Sequence, residues 1–435
     1  MKQVLIIGAG KSSSYLIKHL IDNQEGFNIS ITILDLNISS LEPYQDLSYI
    51  TTKQISSGEI HEYEPYIAQS FLTISMLPAH MHIEVAKLCL RFGSHLVTPS
   101  YISEEMQALS DEANKKELIF LNELGFDPGI DHLTTMKMYH EIIAQGGILT
   151  SYRSYAGGLV APKSDDNPWH YKFSWNPRNV ILAGQGGEIK YKKDGLTKTL
   201  NYHELFSKSE VLKLSNGQVF DAYANRDSLK YEKLYGWQEI QTILRGTLRI
   251  HGFCEAWALL IDLGLTDDTI KNRHFKGVTY TEFYASFLNT SINDFLQTKS
   301  ESIRTKLISI GFADNESLVK VNGSAAEVLQ SILVDKWKLN PEDTDWVVMV
   351  HFFEYRIGEK KYEIESYLSL EGESSTFTAM SKTVGMPIAF AAEMILNNDI
   401  NTYGVIMPTC KEIYLPLLKK LEEIGVKFDE TIREI

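Results

Sequence analysis

The first residues with the type and spacing to bind a ligand form the run Gly8-Ala9-Gly10-Lys11-Ser12-Ser13. This run follows a strand-like segment, Val4-Leu5-Ile6-Ile7, and precedes a helix-like segment at residues 12–21. Gly8 permits a tight turn, and Gly10 lets the backbone approach a pyrophosphate at the positive end of the helix. The pattern is typical of a dinucleotide site. The residues of this run that we expect to contact the cofactor are Gly8, Gly10, Lys11 and Ser12.

The third glycine position of this motif is Ser13, so a turn that needs glycine for geometry alone remains an alternative. Asp35 favours the dinucleotide, because it ends the second predicted strand, 22 residues after Ser13. A carboxylate there can bind a ribose 2′-hydroxyl and repel a 2′-phosphate, which predicts NAD. NADP stays possible because Lys11 and Asn37 could accommodate a phosphate, and Asp35 could also be a simple turn residue.

Two later segments extend the predicted site. Ser75-Met76-Leu77-Pro78 ends another strand, where we expect Leu77 near the nicotinamide. Asp127-Pro128-Gly129 is a tight turn that opens a helix and places two carboxylates and His132 at the edge of a cleft. A capped helix start with no chemical role is the alternative, with Asp127 as the cap.

The elements that must position these residues alternate between short β-rich runs and helices over residues 1–125. This order predicts an α/β fold with a doubly wound parallel sheet. From about Thr150, strand-like segments with Gly, Pro and Asn breaks indicate a mixed domain, and residues 253–338 look helical throughout. A hairpin is predicted from Trp346–Tyr355 to Tyr362–Leu370, and the last helices follow Pro387.

Composition excludes several classes of protein. The 42 Lys and Arg against 56 Asp and Glu leave a net charge of −14, which argues against a nucleic-acid partner. Three scattered cysteines support neither a disulfide framework nor a zinc site, so we predict no metal. No long apolar run and no cleavable signal are evident, so we expect a cytoplasmic protein with no membrane partner.

Many short sequence segments, taken in order along the chain, resemble those of the glutamate-forming saccharopine dehydrogenases of lysine metabolism. The strings that carry the resemblance are Val97–Ser103, Gly125–Leu133, Ser154–Leu159 with Ala161-Pro162, Asp166–Pro168, Tyr171–Trp175, Asn225–Asp227, Arg245–Arg249, Thr383–Pro387 and Gly404–Pro408. The resemblance implies an oxidoreductase that interconverts saccharopine with glutamate and 2-aminoadipate 6-semialdehyde, using a nicotinamide cofactor. It also implies a homodimer and a small-molecule substrate with several carboxylates.

The resemblance further implies three domains. A Rossmann-type dinucleotide-binding domain comprises residues 1–125 and 386–435, a mixed α/β substrate domain comprises 126–250 and 340–385, and 251–339 is a helical insertion. From the chemistry of an imine, we hypothesise that Asp127 and Tyr101 are the catalytic residues. The implied substrate contacts are Ser100, Tyr101, Asp127, Arg226, Thr247, Leu248 and Arg249, and the further implied cofactor contacts are Ser100, Phe126, Gly129, Ile130, His132, Leu133 and Ser174.

Two positions depart from the family pattern. Fungal members carry a cysteine where this chain has Ala156, and a Cys-Arg pair suited to NADP where it has Leu34-Asp35.

We expect Asp127 to stabilise positive charge at the reacting nitrogen and Tyr101 or a water to move protons. His132 is a packed or cofactor-side histidine, with acid–base catalysis as the alternative. For Arg226 and Arg249, surface or interdomain ion pairs are the alternative.

Two other functions fit parts of the sequence. The chain could be a related imine-reducing dehydrogenase for a carboxylated polyamine or an opine-like substrate, which would need fewer carboxylate contacts. It could also be a silent NAD-sensing or partner-binding protein, a reading that only Ser13 and Ala156 support.

Overall fold

The computed structural model describes residues 1–435, which form sixteen β-strands and seventeen α-helices. The strands are β1 Lys2–Ile7, β2 Ile29–Asp35, β3 Ile50–Gln54, β4 Leu72–Ser75, β5 His95–Val97, β6 Ile119–Leu121, β7 Ile148–Val160, β8 Ile189–Lys193, β9 Leu196–Leu200, β10 Glu210–Lys213, β11 Val219–Ala224, β12 Thr242–Ile250, β13 Asp345–Ile357, β14 Lys360–Glu371, β15 Gly404–Ile406 and β16 Asp429–Glu434. The helices are α1 Ser14–Asp22, α2 Gln24–Phe27, α3 Ile60–Ile67, α4 His82–Phe92, α5 Glu104–Gln107, α6 Ser110–Lys115, α7 Ile130–Ala144, α8 Pro177–Ile181, α9 Tyr202–Leu205, α10 Lys230–Leu234, α11 Phe253–Asp262, α12 Tyr280–Ala285, α13 Ile292–Gln297, α14 Glu301–Ser309, α15 Ala325–Lys336, α16 Ala379–Leu396 and α17 Lys411–Glu423.

The first compact unit comprises residues 1–145 and 376–427 and contains a seven-stranded sheet. Its strand order is β15-β6-β5-β4-β1-β2-β3, and every neighbouring pair is parallel. The strands read as short apolar runs because helices cover a parallel sheet on both faces. The order reverses direction between β1 and β4, which is where such sheets bind ligands beyond the carboxyl ends of their strands. The predicted doubly wound fold is confirmed.

The second compact unit comprises residues 146–375 and 428–435 and contains a mixed nine-stranded sheet. Its main path runs β10-β11-β12-β7-β13-β14-β16, with β8 and β9 attached at β12. Only β12 and β7 pair in parallel, and the predicted hairpin appears as β13 and β14. The helices α11 to α15 share one hydrophobic core with this sheet, with Trp257 and Trp337 among its fully buried side chains.

The division of the chain differs from the predicted boundaries in four ways. Residues 376–385, predicted in the substrate domain, belong to the first unit. Helix α7 belongs to the first unit, where His140 Nδ1 lies 2.7 Å from the Tyr414 hydroxyl of α17. Strand β16 belongs to the second unit, because it pairs antiparallel with β14. The predicted helical insertion has no core of its own and is part of the second unit. It is also not helical throughout, since its five helices are separated by loops.

Helix α16 begins before Pro387 rather than after it, and the proline lies in the helix interior. The Thr378 side chain accepts a hydrogen bond from Ser381 N and caps the helix start. A Cβ at Gly385 would lie 2.9 Å from Leu16 N, so this glycine allows α16 to pack closely on α1. By length and composition α16 could cross a membrane, but 89% of it is buried inside the protein, so it is weak evidence for a membrane span.

Candidate active site

The glycine-rich turn between β1 and α1 has the geometry of a phosphate cradle. Gly8 has φ +105°, and a Cβ there would lie 3.1 Å from the backbone of Met76, so only glycine fits. A Cβ at Gly10 would meet nothing within 4 Å, which leaves the turn open at this point. Ser13 is buried and donates from Oγ to Gly10 O at 2.6 Å, so the residue in the third glycine position stabilises the turn. The residues present therefore fit a dinucleotide.

The carboxylate of Asp35 lies beside this turn, at the end of β2. Its Oδ2 accepts from Ala9 N at 2.5 Å and its Oδ1 from Asn37 N at 2.8 Å. Lys11 is exposed and Ser12 is half-buried on the turn itself, and Leu77 is half-buried two residues after the end of β4. The structure thus places these predicted cofactor residues at the carboxyl ends of β1, β2 and β4 in the first unit.

Three predicted substrate residues also lie in the first unit. Tyr101 and Asp127 are half-buried, and the Tyr101 hydroxyl lies 3.5 Å from Asp127 Oδ1. Ser100 is half-buried as well, and its Oγ lies 2.7 Å from Nε2 of His82. A half-exposed carboxylate next to a phenol can stabilise positive charge on a neighbouring nitrogen and orient a hydroxyl.

The rest of the Gly125–Leu133 segment is a closely packed turn. A Cβ at Gly129, whose φ is +147°, would lie 2.0 Å from Gly125 O. Ile130, His132 and Leu133 have no exposed surface, and Phe126 is 5% exposed. Asp127 is therefore the residue of this turn with the most accessible side chain.

Sequence reasoning missed Glu123, which lies just before this turn and is 1% exposed. Its Oε1 accepts from Ile102 N at 3.0 Å and its Oε2 lies 2.9 Å from His132 Nε2. Its backbone N donates to Ser100 O at 2.9 Å. This geometry favours a packed His132 over an acid–base catalyst. A glutamate within a run of apolar residues was the available signal, but its partners are distant in sequence.

The other predicted residues belong to the second unit, where Arg249 stands out. Arg249 is 3% exposed, its guanidinium carbon lies 5.2 Å from the Tyr171 ring centroid and 5.5 Å from that of Phe253, and one Nη donates to Leu248 O at 3.0 Å. Its Nε has no hydrogen-bond partner in the protein. Burial raises the pKa of the nearby Tyr223 to about 12, so that phenol stays neutral. A buried guanidinium with an unused donor suits a carboxylate ligand.

The strand that carries Arg249 also explains the neighbouring positions. Thr247 and Arg249 lie on one face of β12 and Leu248 on the other, because side chains alternate along a strand. Ala156 on β7 pairs directly with Thr247, so the position of the family's cysteine lies beside the Arg245–Arg249 string. Arg226 is exposed, with φ 53°. Ser174 is 1% exposed, and its Oγ has no partner in the protein.

Arg245 is a second residue that sequence reasoning left without a role. It is 5% exposed, and its guanidinium carbon lies 4.2 Å from the Tyr231 ring centroid. Its position two residues from Thr247 places it on the same face of β12 as Thr247 and Arg249. The spacing of the Arg245–Arg249 string was the signal that could have found it.

Comparisons with known proteins decide the family. A family model described as the saccharopine dehydrogenase NADP binding domain matches residues 4–121, and one described as the saccharopine dehydrogenase C-terminal domain matches residues 125–426. The chain belongs to the saccharopine dehydrogenase family. It is 30% identical over 437 residues to saccharopine dehydrogenase [NADP(+), L-glutamate-forming] of Saccharomyces cerevisiae, covering 97% of both chains.

Further relatives and structures agree with this family. The alpha-aminoadipic semialdehyde synthase of Rattus norvegicus, a mitochondrial protein, is 30% identical over 98% of this chain, which spans 47% of that relative. The solved apo structure of saccharopine dehydrogenase (L-Glu forming) from Saccharomyces cerevisiae matches with a TM-score of 0.88, 29% identity and complete coverage of both chains. A homospermidine synthase from Legionella pneumophila shares the fold, with a TM-score of 0.59 and 10% identity, over 99% of this chain and 91% of that one.

Proposed function

We propose that this chain is an oxidoreductase of lysine metabolism that interconverts saccharopine with L-glutamate and 2-aminoadipate 6-semialdehyde. The observation that carries the proposal is the match over 97% of both chains to a yeast protein named for the glutamate-forming reaction. The glycine-rich turn, the Tyr101–Asp127 pair and the buried Arg249 supply the kinds of group that the reaction needs. We also propose a homodimer, as the resemblance implies, and a cytoplasmic location, which rests on the composition of the chain.

Residues of the second unit would bind the substrate through its carboxylates. Saccharopine carries three carboxylates, and guanidinium groups are the side chains that bind carboxylates in two-point geometry. Arg249 supplies a nearly buried guanidinium whose Nε is unused within the protein, and Arg226 supplies an exposed one. Thr247 extends the contact on the same face of β12, whereas Leu248, whose buried side chain lies on the other face, would contribute through its backbone. In a protein with a net charge of −14, such local donors must outweigh the overall repulsion.

Residues of the first unit would bind the cofactor and support the chemistry. A bound nicotinamide would supply the hydride acceptor for the carbon on the aminoadipate side of the secondary amine. The oxidised carbon then carries a C=N bond with positive charge, and water adds to it before the C–N bond breaks to give aldehyde and glutamate. Asp127 stabilises that positive charge, and Tyr101, 3.5 Å away, moves a proton to or from the nitrogen or an ordered water. Ser100 contacts the substrate and the cofactor.

For the coenzyme we propose a preference for NAD, although the relatives are named for NADP(+). The support is Asp35, whose carboxylate lies within hydrogen-bonding distance of Ala9 N on the phosphate-binding turn. A carboxylate at this strand end repels the 2′-phosphate that distinguishes NADP. The neighbouring Lys11 is exposed and is the group through which NADP could still bind.

The experiment that tests the proposal is oxidation of saccharopine by the purified chain, followed by the absorbance of the reduced nicotinamide, with NAD and NADP in separate series. We expect turnover with saccharopine and a higher kcat/KM with NAD than with NADP. No turnover with either coenzyme would refute the function. A higher kcat/KM with NADP would refute the coenzyme preference alone.

A further inference from the structure

His82 lies where two neighbouring strand ends of the first unit meet. Ser75 is the last residue of β4, and Ser100 follows the adjacent parallel strand β5 by three residues. His82 is the first residue of α4 and is 2% exposed. The imidazole thus lies between a fully buried hydroxyl at one strand end and a half-exposed hydroxyl beyond the other.

Each ring nitrogen of His82 lies within hydrogen-bonding distance of one of these hydroxyls. Nδ1 is 2.9 Å from Ser75 Oγ, and Nε2 is 2.7 Å from Ser100 Oγ. Thr98 Oγ1 lies 3.1 Å from Nε2 and accepts from Ser100 N at 3.3 Å, which holds the backbone at Ser100 beside the ring. Burial, with a smaller effect of His80, lowers the pKa of His82 to about 4, so the ring is neutral near neutral pH. A neutral imidazole has one donor nitrogen and one acceptor nitrogen.

We propose that His82 is a positioning residue that donates from Nε2 to Ser100 Oγ, accepts from Ser75 at Nδ1, and so directs the Ser100 hydroxyl proton toward a bound ligand. This inference rests on the proposed function, in which Ser100 contacts saccharopine. The carboxylates of that substrate can only accept hydrogen bonds, so Ser100 must donate to them. The opposite tautomer would turn the Ser100 proton into the ring and present only lone pairs to the substrate.

A double-mutant cycle separates positioning from general structural support. We expect His82→Gln to raise the KM for saccharopine about tenfold, the effect of one weakened hydrogen bond to a charged group. In a Ser100→Ala background the same change should have little further effect, because His82 acts through that hydroxyl. His95→Gln is the matched control, since His95 is a partly buried histidine of β5 whose Nδ1 accepts from Ile119 N at 3.1 Å. If the KM of the double variant rises by the full product of the two single-variant factors, the proposal is overturned.

Two further measurements keep the proposal testable if His82→Gln fails to fold. Ser75→Ala removes the partner of Nδ1 and should raise the KM in the same direction only when Ser100 is present. Thr73→Ala, at a buried hydroxyl on the same strand that pairs with Ser94, should not raise it. Nitrogen NMR of the wild-type protein should show His82 protonated at Nε2 and not at Nδ1. Protonation at Nδ1 would overturn the proposal, whereas an inactive wild type with the expected tautomer would refute only the proposed function.

Discussion

The Glu123 carboxylate lies 2.9 Å from Nε2 of His132 and 3.0 Å from the backbone N of Ile102. One buried side chain therefore connects the segment that carries Ser100 and Tyr101 with the turn that carries Asp127. The backbone of Glu123 adds a third link, because its N–H donates to Ser100 O. The half-exposed groups proposed to act on the substrate are thus positioned by a residue with almost no exposed surface.

Glu123→Ala should reduce both stability and activity. The change deprives the buried His132 ring and the Ile102 backbone N–H of this acceptor, for which we expect a loss of about 2–4 kcal/mol in the free energy of unfolding. It should lower kcat/KM for saccharopine more than about tenfold, because Tyr101 and Asp127 lose their common support. Urea unfolding and initial rates measure the two effects. Glu84→Ala is the control, since Glu84 makes only an exposed pair with Lys87, and equal behaviour of the two variants would contradict the role of Glu123.

Asp127→Asn should lower kcat for saccharopine oxidation about tenfold, a modest factor because the carboxylate is half-exposed and its field is screened. The Kd for the coenzyme should stay within about twofold, because the amide keeps the size and shape of the side chain. Stopped-flow rates and coenzyme titration measure the two quantities. Asp111→Asn, at an exposed position of α6, is the control. An unchanged kcat would contradict stabilisation of charge by Asp127.

Asp35→Ala should decrease the preference for NAD. We expect the ratio of kcat/KM with NAD to kcat/KM with NADP to fall about tenfold, because the change removes both a ribose acceptor and a charge that repels the 2′-phosphate. Damage to the turn through the lost bond to Ala9 N affects both coenzymes and cancels in the ratio. The control is Asp46→Ala at an exposed position of the same unit. If the ratio of the two kcat/KM values is unchanged, Asp35 is a turn residue only.

Arg249→Lys should raise the KM for saccharopine about a hundredfold and leave the Kd for the coenzyme unchanged. A lysine keeps the charge but lacks the planar set of donors, which is costly at a buried site that binds a carboxylate. Steady-state kinetics measure the effect, and thermal unfolding checks that the variant is folded. Arg356→Lys, at an exposed position of β13, serves as the comparison. If the KM for saccharopine changes equally little in both variants, Arg249 only packs within the core.

Hydrophobic periodicity and turn residues correctly predicted the elements that are formed by residues close together in the sequence. The strand–glycine turn–helix unit at Gly8–Gly10 and the β13–β14 hairpin were predicted from their periodicity and turn residues, and both appear in the structure. The pairing of β16 with β14 joins distant segments, so nothing near residues 429–434 indicated it. Pro387 was expected to precede a helix, but packing allows it in the interior of α16, where most residues are buried.

At the candidate site, too, the sequence did not indicate contacts between residues that are distant in the chain. Resemblance named residues that meet in the structure, such as Tyr101 and Asp127, and residues whose burial suits them to the proposed role, such as Arg249. It did not indicate Glu123 or His82, because their importance depends on hydrogen bonds to residues 7 to 23 positions away in the chain. A residue that positions another is recognised from the distances between their hydrogen-bonding atoms. The sequence alone does not contain these distances.

The most direct test of the proposed function is the synthetic direction, with glutamate labelled at its amine nitrogen, 2-aminoadipate 6-semialdehyde and the reduced coenzyme. Mass spectrometry of the product should show saccharopine that retains the label, formed in equal amount to the coenzyme oxidised. Coenzyme oxidation that does not require glutamate, or a product without the labelled nitrogen, would contradict the assignment of this chain as a glutamate-forming saccharopine dehydrogenase.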